Sequence, residues 1–416
     1  MKKLIFWSLL ILLDLVALEA AFRGYFYLTV GKSYAAEDLA DIPSATMLLN
    51  QNERPKWMKN YLLHPYFGYV APKIENNEQS HGFTSKSDPL VAEPAVFSIL
   101  LTGGSVAQQI GRFGNLETRF RAALKTAGHT NRKVKVFNAA TGGYKQPQQL
   151  QVLSYFLALG GRFDLVINLD GFNEIVLPAL NYQRSGQHPA FPRQWSNVVG
   201  EVSLDRRLLD GEITYLRQEQ AKWITIAKEP VIGWSAIAGY FLRNQILEDE
   251  ERIQELFETS FKIASGYSLE AKGPPIAFET DTQLYDYSAD LWARSSITMH
   301  RLARSFDIDY VHILQPNQYV EGSKPWSRKE RERFRSAAAI YAPYATVGYP
   351  ALIKRQTDIT AAGVPFGDAT TLFQSEKRTV YRDACCHLNK LGIATLADYV
   401  VQLSIGHLSK AENARQ

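Results

Sequence analysis

The sequence predicts an α/β domain on a mostly parallel sheet, with a helical insertion inside it and an apolar helix in front of it. Three observations carry that expectation. Short apolar runs ending in glycine are each followed by an amphipathic stretch, and this unit recurs along the chain. One stretch near the middle breaks the rhythm. The first residues hold an apolar run behind two lysines.

AVFSILLTGG, residues 95–104, reads as a buried strand and a tight turn, and SVAQQIGRFGNLETRFRAALKTAG behind it puts Phe113, Leu116, Phe120 and Leu124 on one helical face. VKVFNAATGG repeats the strand and turn, followed by a helix through Gln149, Val152 and Phe156. FDLVINLDG, residues 163–171, is the third strand. Further on, a helix through Leu291, Ile297 and Leu302 leads into the strand FDIDYVHILQ. The loop PNQYVEGSKPWS, a helix starting near Arg328 and a last helix NKLGIATLADYVVQL follow, the last with Leu396 and Val400 inward. Alternating strands and helices imply a parallel sheet covered on both faces, with chemistry gathered beyond the carboxyl ends of the strands.

Residues 196–282 do not keep this rhythm. Their charged helical stretch ILEDEERIQELFETSFKIA and the exit GYSLEAKGPP mark an insertion, expected to pack over the core as a lid or one wall of a cleft. Residues 31–91, rich in Pro, Asn, Lys and Tyr, read as a stalk and covering segment. The domain proper is expected over 92–402, with 403–416 as a flexible tail. Residues 1–30 carry Lys2 and Lys3 before an apolar run from Leu4 to about Ala21, interrupted by Asp14 and Glu19. That length and those basic residues favour a signal anchor with a cytoplasmic amino terminus. A cleaved signal peptide ranks behind it, because the small residues around Ser33 lie far past the apolar run.

The net charge of +4 over 416 residues, not gathered into a basic stripe, gives no electrostatic case for nucleic acid. Cys385 and Cys386 are the only cysteines, which excludes a disulfide-rich scaffold. As neighbours they lack the spacing of a structural zinc site or a thioredoxin-like pair, so neither metal nor redox chemistry is expected. GGSVAQQIG lacks the lysine of a nucleotide-phosphate loop and the spacing of a dinucleotide fingerprint, so no cofactor is expected.

Ser105 follows two glycines at the end of the first core strand. There it is either a plain helix cap or an exposed hydroxyl whose own amide is free at a helix amino terminus. Gly143 and Asn173 lie in loops after the next two strands, at the same sheet edge. With the Ser105 amide they form a candidate set of donors for a developing oxyanion. Among eight histidines, His387 stands in a polar loop before the last helix with Asp383 upstream. His312, inside a strand, reads as a satisfied core residue as readily as a functional one; His188 is a candidate for the cleft wall. Serine becomes a nucleophile when a histidine takes its proton and a third group orients the ring. Ser105, His387 and Asp383 are the set that does this across nearly the whole chain.

GGSVA, NAATGGY, DGFNE and DACCHLN, in that order, resemble the four blocks of the SGNH hydrolases, the GDSL-like esterase and lipase superfamily. The likeness covers roughly residues 92–178 and 284–402. It implies a three-layer α/β/α domain with a flavodoxin-like sheet, Ser105 as nucleophile, Gly143 and Asn173 as oxyanion donors and His387 as general base. The anchor, HPYFGY, DGFNEI and LQPNQY resemble a bacterial membrane-attached subgroup. Two departures stand out: GGS replaces the aspartate-serine of the name-giving pattern, and Asp383 lies four residues before His387, where the family usually has three and this chain has Ala384.

The implied protein is a serine esterase of the cell envelope, single-pass in a bacterial inner membrane with its domain outside the cytoplasm. Its expected substrate is an ester-bearing small molecule or an acetylated glycan. An O-acyltransferase working with envelope polysaccharide-modification partners stays open, as does a non-catalytic binding or assembly protein on the same fold.

Overall fold

A computed structural model describes residues 2–31, 33–41, 61–70, 81–83, 85, 88–91, 93–129, 131–199, 204–262, 269–334 and 340–408. The chain divides into two compact units, one of Trp57–Val198 with Lys272–Gln416, the other of Met1–Lys56 with Val199–Ala271.

The first unit is a mixed α/β domain. A hairpin of β1 (Leu62–His64) and β2 (Gly68–Val70) precedes five parallel strands: β3 (Val96–Gly103), β4 (Lys133–Asn138), β5 (Leu165–Asp170), β6 (Asp309–Leu314) and β7 (Phe366–Asp368). They run in the order β4-β3-β5-β6-β7. Every residue of β5 is buried, which explains why it reads as an unbroken apolar run rather than an alternating one. Helices flank both faces. Phe137 of β4 packs its ring 5.1 Å from Phe156 in helix Gln148–Ala158, whereas the next residue, Asn138, donates to the Gln108 carbonyl of helix Ser105–Phe113. Successive strand residues point to opposite sides, so these two helices cover opposite faces.

Three sequence expectations change in detail, and one helix is added. The single helix behind β3 is two, Ser105–Phe113 and Leu116–Thr126, because Gly114 ends the first and Asn115 takes a left-handed φ of 50°. The break resets the helical phase: Leu116, Phe120 and Leu124 are buried, but Phe113 is 57% exposed. In helix Asp281–Arg304 the buried stripe runs through Trp292, Ser296 and Met299, and Leu291, Ile297 and Leu302 sit on its flank. Helix Ala342–Ala361, with Pro350 inside it, has no counterpart among the elements read from sequence; its Gly348 is where Ile175 packs, since a Cβ there would lie 1.7 Å from the Ile175 Cγ2. The last helix runs Lys390–Gly406, past residue 402, with Ser404 buried. Of the expected stalk and tail, residues 42–60, 71–80 and 409–416 lie outside the described residues.

The second unit holds helices Lys2–Val30, Leu204–Ala227, Pro230–Trp234 and Ala236–Lys262. Its apolar cluster joins the exit of the amino-terminal helix to the insertion through Phe26, Tyr34, Leu39, Ala227, Ala236 and Ile246. The segment Ile5–Val30, with a mean hydropathy of 2.1, is long and apolar enough to cross a membrane. Glu19, the second of the two acids that interrupt this run, accepts from the amides of Ala236 and Ile237 and the hydroxyl of Ser235, satisfying the free donors at a helix start.

Candidate functional site

The site is built at the carboxyl end of β3. Gly103 has a φ of 139°, and a Cβ on it would stand 2.0 Å from the Leu169 carbonyl oxygen, so only glycine lets β3 and β5 approach before the turn. Gly104 caps helix Ser105–Phe113, which leaves Ser105 as the first helical residue with its amide at the helix start. The reading of Ser105 as a plain cap gives way here. Its Oγ lies 2.8 Å from His387 Nε2.

His387 Nδ1 lies 2.6 Å from Asp383 Oδ2, so the four-residue spacing still closes the contact. The turn absorbs the extra residue by wrapping around the carboxylate: Asp383 Oδ1 accepts from the amides of Cys385 at 3.0 Å, Cys386 at 3.2 Å and His387 at 3.3 Å. Burial works against ionising this group. The His387 hydrogen bond and charge and the backbone amides outweigh it, holding the Asp383 carboxyl below its usual value.

Residues outside the quoted blocks hold this loop. Tyr319 Oη donates to the Ala384 carbonyl at 2.6 Å and Gln318 Nε2 to that of Cys385 at 2.9 Å, so LQPNQY is a clamp on the histidine turn. Gln109 Oε1 accepts the Leu388 amide at 3.3 Å, tying the serine helix to the same turn. Beneath it, Glu330 accepts the amides of Val380 and Tyr381 and pairs with Lys324 at 2.8 Å, both side chains fully buried. Sequence patterns gave no sign of Gln109 or Glu330, and marked Tyr319 only as part of the resembling segment LQPNQY, because each acts on a residue far away in the chain.

Gly143 and Asn173 come to the same edge. Gly143 has a φ of 83°, and a Cβ on it would meet the Tyr69 hydroxyl at 2.8 Å and Arg193 Cδ at 3.0 Å. At its neighbour Gly142, a Cβ would lie 3.9 Å from the Cβ of Ser105. The hairpin buttresses this loop: Tyr69 Oη donates to the Gly142 carbonyl at 3.1 Å, and Tyr144 Oη donates back to that of Tyr69. Asn173 Nδ2 donates to the Tyr144 carbonyl at 2.8 Å, which orients the amide and leaves its second N–H for another acceptor. That nitrogen sits beside Gly104, 2.3 Å from where a Cβ would be. Ser105, Gly143, Asn173, Asp383 and His387 therefore meet at one sheet edge.

The chain has weak structural similarity to GDSL-like lipases. A GDSL-like lipase from Bacteroides thetaiotaomicron VPI-5482 aligns with a TM-score of 0.32 and 10% identity over 74% of this chain and 88% of that one. A protein assigned as an acylhydrolase from Bacteroides fragilis NCTC 9343 aligns with a TM-score of 0.30 and 11% identity over 74% of this chain and 86% of that one. No protein-family model and no curated protein sequence matches the chain.

The two cysteines are free thiols with their sulfurs 3.2 Å apart. Burial, then the neighbouring Cys385 sulfur, pushes the Cys386 thiol well up, so it stays neutral beneath Ser105. Cys385, Cys386 and His387 bring their donor atoms within 4.8 Å of one another, but both ring nitrogens of His387 are already engaged by Ser105 and Asp383. His188 bonds Tyr287 Oη at 3.2 Å and accepts the Ala190 amide. His312, fully buried on β6, bonds Asp170 Oδ1 at 2.9 Å through Nε2, whereas its Nδ1 is buried without a hydrogen-bond partner.

Proposed function

We propose that this chain is a membrane-anchored serine esterase of the cell envelope. The observation that carries the reading is the continuous hydrogen-bonded line from Ser105 Oγ through the His387 ring to Asp383. In the mechanism His387 Nε2 takes the Ser105 proton as Oγ bonds to the ester carbonyl carbon. The carbonyl oxygen gains the charge and faces the amides of Ser105 and Gly143 and the second N–H of Asn173. As the tetrahedral centre collapses, the carbon–alkoxy bond breaks, the alcohol leaves with the proton from His387, and an acyl group stays on Ser105. Water attacks that acyl group with His387 again as base, releasing the acid and restoring the serine. Asp383 holds the ring in the tautomer that presents a bare Nε2 to the serine.

Core strands β3 to β7, numbered one to five, run 2-1-3-4-5, the order of flavodoxin-like sheets, which supports the three-layer α/β/α domain. The altered aspartate spacing and the large insertion motivate a non-catalytic reading, and the 2.6 Å contact supports the esterase against the first of these. The apolar helix behind Lys2 and Lys3 supports a single-pass anchor in an inner membrane with the domain outside the cytoplasm. An acetylated glycan or small acetyl ester is the proposed substrate. A sugar hydroxyl in place of water would make the same acyl-serine an acyltransfer intermediate.

The test is covalent. A fluorophosphonate should label the full-length protein at Ser105 and stop hydrolysis of a small acetyl ester, and Ser105→Ala should lose both, on the order of 10⁶-fold in kcat. Hydrolysis unchanged in Ser105→Ala sinks the mechanism.

A further inference from the structure

Glu19 fixes the depth of the helical unit relative to the anchor, and with it the position of an exposed apolar tip. Trp7 and Tyr25, at 59% and 40% exposure, lie near the two ends of the amino-terminal helix. Eighteen residues separate them, roughly 27 Å at the helical rise, which matches a hydrocarbon core with interfacial aromatics at both edges. Glu19 is six residues short of Tyr25, roughly 9 Å below that edge. A carboxylate at that depth is costly unless it is paired. It is 8% exposed, with Arg23 at 3.0 Å, the Ala236 amide at 2.8 Å, the Ser235 hydroxyl at 3.1 Å and the Ile237 amide at 3.3 Å.

The beginning of helix Ala236–Lys262 is thereby held beside Glu19. Neighbouring contacts agree. Arg23 donates to the Trp234 carbonyl at 2.5 Å and lies 5.1 Å over the Trp234 ring, and Tyr240 packs 5.0 Å from Phe22 and 5.4 Å from Tyr25. Residues 234–240 run alongside residues 19–25 of the anchor. At this level the tip presents Val231 at 83%, Trp234 at 68% and Phe241 at 63% exposure, and the anchor exposes Tyr27 at 64% and Leu28 at 85%.

We propose that residues 228–241 rest in the headgroup–acyl boundary of the leaflet at the anchor's carboxyl-terminal end, so that Val231, Trp234 and Phe241 form a second, lipid-facing contact. The occupant is lipid because the patch continues the anchor's own apolar surface at the depth Glu19 sets. Exposed Lys228 and Glu229 keep the tip at headgroup level, their charged ends reaching water while their stems lie along the boundary. The proposal rests on the reading that Ile5–Val30 spans a bilayer, and it makes the anchor a fixed mount for the helical unit.

The full chain in nanodiscs of phosphatidylcholine and phosphatidylglycerol tests this. Photoreactive benzoylphenylalanine is placed singly at Leu12, Val231, Trp234 and Glu255, the last being 68% exposed on the same helix and roughly 28 Å beyond Ala236. Irradiation should add the mass of one phospholipid at 12, 231 and 234, and none at 255. Lipid adducts at 12 with none at 231 or 234 overturn the inference and leave the anchor standing. No adduct at 12 removes the anchor and the inference together. A protein adduct at 231 or 234 in native membranes, in place of lipid, also overturns it.

Discussion

Two histidine–aspartate pairs lie in the same α/β unit and differ in what surrounds them. His387 and Asp383 meet at 2.6 Å with side chains 23% and 37% exposed, and a serine hydroxyl stands on the far ring nitrogen. His312 and Asp170 meet at 2.9 Å with side chains 0% and 1% exposed. Asp170 also accepts from Trp292 Nε1 at 2.6 Å and Asn168 Nδ2 at 2.7 Å, so the second pair joins β5, β6 and helix Asp281–Arg304. The bonding is alike; the outlet is not. The first pair keeps a ring nitrogen on a hydroxyl at the sheet edge, whereas the second is enclosed by strands and braces them.

The largest expected effect is on the exposed pair. Asp383→Asn keeps an acceptor for the turn amides but favours the wrong ring tautomer, so kcat toward a small acetyl ester should fall by on the order of 10⁴-fold, about 5.5 kcal/mol, with thermal unfolding little moved. Activity within tenfold of the native protein would mean another group orients His387.

The buried pair should respond the other way round. Asp170→Ala leaves Trp292, Asn168 and His312 without their common acceptor and should cost roughly 3–5 kcal/mol in denaturant unfolding. Below its transition, kcat per folded molecule should stay within about threefold of native. A collapse of kcat at native stability would erase the distinction between the pairs.

Gly104→Ala sharpens the geometry of the exposed site. The backbone φ of −88° tolerates alanine, but the new Cβ would push Asn173 Nδ2 from its place. A loss of about 10²–10³-fold in kcat is expected, similar to removing one oxyanion donor, and Asn173→Ala should add little to it in a double mutant. Additive losses would show that Asn173 and Gly104 act separately.

The smallest effects are in pH. Asp383 is held below its ordinary value in the fold, so its contribution to stability is present above the unfolded value and is lost as pH falls through the folded one. Glu174, buried beside Asp170, is the reverse: burial, then the Asp170 charge, raises it from 4.5 to about 8. Its contribution is complete below 4.5 and is lost as pH rises toward 8. Burial lowers Lys145 to about 7, so it begins to lose its proton only toward the upper end of this window. Unfolding free energy measured between pH 5 and 7 should therefore slope downward less in Glu174→Gln than in the native chain; equal slopes would remove Glu174 from the account.

Glu174 also shows where sequence reading stops. DGFNE points to Asn173 because an amide after a strand is a recognisable donor. The next residue looks like ordinary helix-start acid, yet it accepts the Gly171 amide at 2.7 Å, Gln149 Nε2 at 3.0 Å and the Gln146 amide at 3.3 Å, joining the segment after Gly143 to the helix that carries Asn173. Ser105 was legible through the glycines before it, and His387 through its polar loop. Phe113 was misplaced because two residues, Gly114 and Asn115, reset the helix phase, which periodicity alone treats as continuous.

The sequence by itself determined the alternation of strands and helices, the apolar leading helix, the interruption near the middle and the choice of five candidate site residues, because each leaves a local mark in periodicity, glycine placement or residue type. Only the tertiary structure decided that Asp383 reaches His387 across one extra residue, that His312 is a brace, and that Glu19 caps a helix start more than two hundred positions away. Those outcomes depend on which backbone amides and carboxylates folding brings within hydrogen-bond distance, and a linear order of residues carries no such distances.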